Sequence, residues 1–120
     1  MKLVDLIKII NGTVFNEGEV DIDCEIRGGC GADLMSDVLA YIKPEAALMT
    51  GLCNPQVVRT ACMADIRAIV LVRGKQPPRE TIELAMQENV PLISSPYGMF
   101  EICGRLYQAG LPSSLSPNHL

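Results

Sequence analysis

Between residues 46 and 74 the chain leaves little choice of architecture. Ala46-Ala47-Leu48-Met49-Thr50-Gly51 is followed by Asn54-Pro55, which opens a helix-like run, and then by Arg67-Ala68-Ile69-Val70-Leu71-Val72-Arg73-Gly74. Each apolar run is too short for a buried helix and is halted by glycine, so both read as strands. Val57, Val58, Ala61, Cys62 and Ile66 between them recur at helical spacing. Strand, helix and strand in this order predict a parallel crossover unit, because parallel neighbours need a connection long enough to hold a helix. Both strands end in a polar or charged residue followed by glycine. In open parallel sheets those carboxyl ends form the rim where ligands bind.

The unit repeats downstream. Arg79 to Met86 has the charge and propensity of a half-exposed helix, closed by Asn89. Val90-Pro91-Leu92-Ile93-Ser94-Ser95 reads as a short strand whose early proline suits a strand start. Ser95-Pro96 then reads as an N-cap with proline at the first helical position, opening a helix through about Gln108 that buries Phe100, Cys103 and Leu106, with Tyr107 on the margin of that face. Three strand and helix units in succession predict a three-layer α/β/α sandwich with a mainly parallel central sheet.

The amino-terminal part is less regular. Leu3, Leu6, Ile7 and Ile10 share one face of a first helix stopped by Asn11-Gly12, and Thr13-Val14-Phe15 reads as a brief strand. After a turn at 16–19, Val20 to Ile26 alternates apolar with polar, the mark of a strand with one wet face near a sheet edge. Arg27-Gly28-Gly29-Cys30-Gly31 reads as a flexible stretch where glycine lets backbone approach something closely. A helix follows from about Asp33, with Leu34, Met35, Val38, Leu39 and Ile42 on its apolar face and Lys43-Pro44-Glu45 at its end. The expected organisation is one domain over residues 1–111 and a loosely ordered tail over 112–120, where Ser and Pro prevail without periodicity.

Charge and residue usage narrow the function. At 120 residues the chain can bury a core without disulfide or metal staples. A formal net charge of −4 and no Lys/Arg cluster argue against nucleic acid or an anionic membrane as partner, which leaves a small molecule or another protein. Charges interrupt the apolar stretch of Met1 to Lys8, which is unlike a signal peptide, and no run approaches a membrane span; a cytoplasmic protein is expected. Five cysteines, an odd count without CxxC, then read as reduced thiols, with Cys62 and Cys103 on apolar helix faces. Cys24 and Cys30 are separated by five residues, too weak a spacing to mark a metal site. His119, the only histidine, lies in the tail, so histidine-based triads, bases and metal sites have almost no material. The chain is therefore expected to be no enzyme and to need no metal or cofactor.

Two groups of residues remain as candidates for binding. If the three strands run parallel, Thr50-Gly51, Arg73-Gly74-Lys75 and Ser94-Ser95 emerge on one edge, where helices begin at Asn54 and Ser95. Unsatisfied N–H groups at helix starts, together with Arg73 and Lys75, suit a phosphate or carboxylate. The plainer alternative makes Asn54 and Ser95 caps and the two cations solvated loop charges. The second group is Arg27, Gly28 and Gly29 with Asp33, Ser36 and Asp37 in the following turns. It matches neither a Walker loop nor a GxGxxG fingerprint, and its plainer alternative is a turn with an N-cap. Cys30, ahead of a helix start, is a candidate for a stabilised thiolate.

The words Asp33-Leu34-Met35-Ser36-Asp37-Val38-Leu39-Ala40, Leu48-Met49-Thr50-Gly51-Leu52, Arg73-Gly74-Lys75-Gln76-Pro77 and Pro96-Tyr97-Gly98-Met99-Phe100 together resemble the DRTGG domain family, from residue 1 to about Leu111. Similar domains accompany CBS pairs in some pyrophosphatases, precede the catalytic part of some phosphotransacetylases and are related to the N-terminal domain of HPr kinase; stand-alone versions occur near iron-only hydrogenase genes. The resemblance implies a regulatory or ligand-sensing α/β domain, often dimeric, without a reaction or catalytic residue to carry over. No contiguous Asp-Arg-Thr-Gly-Gly occurs here; Val72-Arg73-Gly74 stands where many members carry Thr-Gly-Gly. The expectation is a homodimeric, non-catalytic module that binds a small anionic ligand, a nucleotide or phosphorylated metabolite, at the carboxyl rim and is read by a protein partner. The alternatives are a ligand-free interaction module, with 48% hydrophobic and 20% charged residues spent on an interface, and a redox or metal accessory using Cys24 and Cys30.

Overall fold

The computed structural model describes residues 1–115. Helix α1 (Leu3–Ile9) precedes a two-residue strand β1 (Thr13–Val14) and an edge strand β2 (Gly28–Gly31). Then come α2 (Met35–Tyr41), β3 (Ala46–Thr50), α3 (Pro55–Met63), β4 (Ala68–Leu71), α4 (Arg79–Gln87), β5 (Leu92–Ser94) and α5 (Met99–Gln108). The sheet runs β1-β5-β4-β3-β2, with β2 to β5 parallel and β1 antiparallel to β5. It is a three-layer α/β/α sandwich around a mainly parallel sheet.

Alternation along β3 and β4 divides the core in two. Ala47, Met49, Ala68 and Val70 face one side, with Leu3, Leu6 and Ile10 of the first helix and Ile102 and Leu106 of α5. Leu48, Ile69 and Leu71 face the other, against Val38 of α2, Val57, Val58 and Ala61 of α3 and Ala85 of α4. Every residue of β3 and β4 is buried. That is why these strands show as unbroken apolar runs: helices cover both faces. Asn16, buried in the turn after β1, donates through Nδ2 to Val90 O and accepts at Oδ1 from Leu92 N, so it fixes the turn against β5.

The structure departs from expectation at four places. Residues 20–26 form no strand; Leu3 N donates to Cys24 O and Ile26 N to Met1 O, so the segment lies along the amino terminus. The alternation there is real, with Asp21, Asp23 and Glu25 exposed, but the pairing amounts to one antiparallel bridge, Lys2↔Glu25. Gly28 to Gly31 is a strand rather than a flexible stretch, paired with β3 from Gly28↔Ala46 to Gly31↔Met49. Close approach is its reason: a Cβ on Gly28 would lie 2.1 Å from Ser114 Oγ, and one on Gly31 2.9 Å from Met99 Sδ. Residues 112–115 are held against β2, with Gly29 N donating to Pro112 O and Ser114 N to Gly29 O, so the described part of the expected loose tail is docked. His119 and the rest of 116–120 lie outside the described residues.

The fourth departure is at α5, which begins at Met99, with Gly98 and not Ser95 in the N-cap position. Ile102 and Leu106 face the core, and at 100° per residue Phe100 lies on the opposite side. Phe100 is 92% exposed, against the expectation that this helix buries it, and Tyr107, on the margin of the expected face, is 72% exposed. Leu34 and Leu39 of the α2 region are likewise exposed, leaving Val38 as the fully buried residue of that helix.

Candidate functional site

Parallel order from β2 to β5 brings residues 31–33, 50–54, 72–76 and 94–98 to one end of the sheet, with Thr50 opposite Leu71 and Leu71 opposite Ser94. The predicted positions Thr50, Arg73 and Ser95 therefore share an edge, but their side chains behave differently. Thr50 is fully buried and donates its hydroxyl to Asp33 Oδ1 at 2.9 Å, and Gly51 N donates to the same oxygen at 2.8 Å. Ser95, also buried, donates to Ile10 O at 2.7 Å and accepts from Tyr97 N. Ser94 donates to Lys75 O. These three hydroxyls brace the rim from inside. Thr50 and Ser95 do not present themselves to a ligand, whereas Ser94 also lines a cleft at this edge.

Asp33, itself exposed, places a carboxylate at the end of β3. The Gly51 N–H bond, then the Thr50 hydroxyl, and beyond these the Lys75 charge hold its carboxyl below the usual aspartate range, although burial opposes them. Lys75 closes the arrangement by donating Nζ to Gly51 O at 2.9 Å. On the next strand Arg73 and Gly74 are both left-handed, at φ of 60° and 66°. The turn is held by Arg73 N to Tyr97 O and Gly74 N to Ser95 O, each 2.7 Å. The Arg73 side chain is exposed, and among the described residues neither it nor Lys75 has an ion-pair partner.

The helix ends add to this charge. Helices α3, α4 and α5 all begin at this end of the sheet, and none has a side-chain hydrogen bond at its N-cap. Helices α4 and α5 carry Glu80 and Glu101 in their first turns, whereas α3 has no acidic residue there. The positive end of α3 is therefore left uncompensated beside Gly51 and Lys75. Asn54 stands at its N-cap position without making the expected side-chain cap. A cleft of about 400 Å³ opens on the same edge between β1 and β5, lined by Asn11, Thr13, Phe15, Gly74, Gln76, Ser94 and Pro96. The β1 contribution is not legible from local pattern; it follows from antiparallel pairing that sets Thr13 beside Ser94.

Other expected residues lie elsewhere. Arg27 and Gly28 are at the amino end of β2, where Arg27 pairs with Glu45, and Gly29 is occupied by Pro112 and Ser114. They are remote from the rim because β2 runs parallel to β3 and only its far end, at Gly31 to Asp33, approaches it. Ser36 is exposed in the first turn of α2. Cys30 lies buried within β2, and burial pushes its thiol up, the reverse of a stabilised thiolate. Burial raises Cys24, Cys62 and Cys103 as well, and Cys62 is exposed on α3 rather than on its apolar face.

A larger concavity, about 820 Å³, is at the opposite end of the sheet and includes Glu19, Asp21, Asp65, Arg67 and Glu88. Its carboxylates and the carboxyl ends of α3 and α4 repel an anion, and Arg67 is already paired with Glu45. Size alone does not make it the site. The rim beside the smaller cleft carries the cations Arg73 and Lys75, while the cleft itself is lined by uncharged residues.

A family model described as the DRTGG domain matches residues 5–109. The chain belongs to the DRTGG domain family. Among curated proteins none matches the sequence. The fold is also that of a solved structure, the CBS and DRTGG domains of the regulatory region of Clostridium perfringens pyrophosphatase, complexed with its activator diadenosine tetraphosphate. The two agree with a TM-score of 0.72 at 15% identity, over 99% of this chain and 52% of that one. This DRTGG domain thus spans about half the length of that regulatory region. At this identity the likeness is one of fold. Among the described residues no helix is long and apolar enough to cross a membrane.

Proposed function

We propose that this DRTGG domain is a non-catalytic regulatory module that binds a small anionic ligand, a nucleotide or phosphorylated metabolite, at the carboxyl rim of its sheet. The observation that carries the reading is the placing of two cations without an ion-pair partner, Arg73 and Lys75, on the rim where α3 starts with no acidic residue in its first turn; Lys75 is held there by its bond to Gly51 O. The cleft adjoins this patch through Gly74 and Gln76 and is of a size that suits a small ligand, since such sites run from about 300 to 1,000 Å³. The Clostridium perfringens regulatory region, which shares the fold, is complexed with a dinucleoside polyphosphate. That is a property of that protein and supports the choice of ligand class here.

The binding set is Asp33, Gly51, Arg73, Gly74, Lys75 and Gln76. Asp33 holds the N–H of Gly51, so a phosphate engages the Arg73 side and leaves Asp33 to accept ligand hydroxyls. Binding would favour one arrangement of the 72–76 turn, which a partner reads as a population shift. The module works in the cytoplasm as a homodimer.

A thermal-shift screen with nucleotides and phosphorylated metabolites tests this. A true ligand at a hundred times its dissociation constant stabilises the fold by about 2.7 kcal/mol. No shift with any member of the panel, or an undiminished shift in Lys75→Ala, overturns the assignment. The ligand-free assembly reading keeps one specific support: two aromatic rings of α5 in solvent.

A further inference from the structure

Helix α5 carries three outward positions in a row: Phe100, Gly104 and Tyr107, at i, i+4 and i+7 on one face. Both rings are exposed, and a Cβ built on Gly104 would meet nothing within 4 Å. No approach within the protomer therefore requires a glycine there, yet glycine weakens a helix interior relative to alanine. A notch between two exposed rings is what another backbone would need.

We propose that this face of α5 is the subunit interface of a homodimer, in which α5 packs antiparallel against α5 of a second copy about a two-fold axis beside Cys103 and Gly104. The proposal rests on the homodimer of the preceding reading and is independent of the rim ligand. Antiparallel pairing sets Phe100 of each copy against Tyr107 of the other and lets the backbones close at the Gly104 notches. An apolar hollow of about 180 Å³ beside Tyr107, floored by Met49 and Leu111, can take the incoming Phe100 ring.

Charge selects the same arrangement. Arg105 donates to Glu101 at 2.8 Å along one flank of the helix. In an antiparallel pair, matching flanks meet in reverse order, so each Glu101 faces the other copy's Arg105 and the helix dipoles oppose. A parallel pair would stack Phe100 on Phe100 and align the helix dipoles side by side. A two-fold interface must be self-complementary, and this face is. Four aromatic side chains bring about 600–1,000 Å² to the contact, half or more of the roughly 1,200 Å² at the low end of stable interfaces.

Analytical ultracentrifugation of the ligand-free protein over a dilution series tests the proposal. The wild type should sediment as a dimer. Gly104→Ala and Phe100→Ser should each weaken dimerisation at least tenfold, and Gly104→Ala should keep or raise the unfolding midpoint of the dissociated chain, as alanine favours the helix. In a Cys103→Ser background, Gly104→Cys should cross-link to a covalent dimer under mild oxidation. A wild type that stays monomeric at millimolar concentration, or a dimer indifferent to both substitutions, overturns the interface.

Discussion

Replacing Arg73 in two ways separates what its backbone costs from what its side chain does. At φ of 60° it occupies the left-handed region, which costs an L-residue about 1–2 kcal/mol. Glycine there is free of that cost but gives up about 0.5–1 kcal/mol in chain entropy. Arg73→Gly should therefore raise stability by about 0.5–1 kcal/mol, or roughly 2–4 °C in the midpoint for a domain of this size. Arg73→Ala keeps the backbone cost and should leave the midpoint near that of the wild type. The bond from residue 73 N to Tyr97 O is made by the main chain and survives in both. Both variants lose the guanidinium, and a hydrogen bond to a charged group is worth about 1.5–3 kcal/mol, so the dissociation constant for an anionic ligand should rise about 10- to 100-fold. Thermal unfolding with and without ligand measures both effects. An Arg73→Gly variant less stable than Arg73→Ala would refute the strain argument, and unchanged ligand shifts in both would remove Arg73 from the site.

Asp33 predicts a pH dependence. Its folded pKa is depressed, first by the Gly51 N–H bond, so its contribution is complete above the usual aspartate value and is lost as pH falls through the folded one. An acid titration of stability should show a shallower acid limb in Asp33→Asn than in the wild type; identical limbs would contradict the assignment. Gly28→Ala would press a methyl against Ser114 Oγ at 2.1 Å and Pro112 O at 3.1 Å. Denaturant unfolding should show a loss of about 1–3 kcal/mol, the usual cost of overpacking, partly restored by Ser114→Gly.

What could be read from the chain was what is local. Strands β3 and β4 and the helix between them are legible because fully buried strands are continuous apolar runs and α3 keeps a helical period. Strand β2 was hidden because glycine usually breaks strands; here it makes room for Ser114 and Met99, contacts that cross most of the chain. Phe100 misled because its burial depends on where α5 starts, and Ser95-Pro96 is a persuasive cap whose serine is spent on Ile10 O instead. The same holds at the rim. Arg73 and Lys75 were visible as charges at a strand end, whereas the inward turn of Thr50 toward Asp33 and the share of β1 in the cleft are fixed by pairings between distant segments.

The two margins of the sheet are finished differently. At one, β1 is only Thr13–Val14, too short to template a further strand. At the other, the main-chain donors and acceptors of Gly29 are taken up by Pro112 and Ser114 from the far end of the same chain. A fibril grows by recruiting a new strand onto an open row of peptide groups, and β2, with glycine at three of its four positions, has almost no side chains to obstruct such recruitment. Four residues laid across it after the last helix therefore act as a seal: a protein rich enough in apolar residues to aggregate ends its sheet with its own backbone.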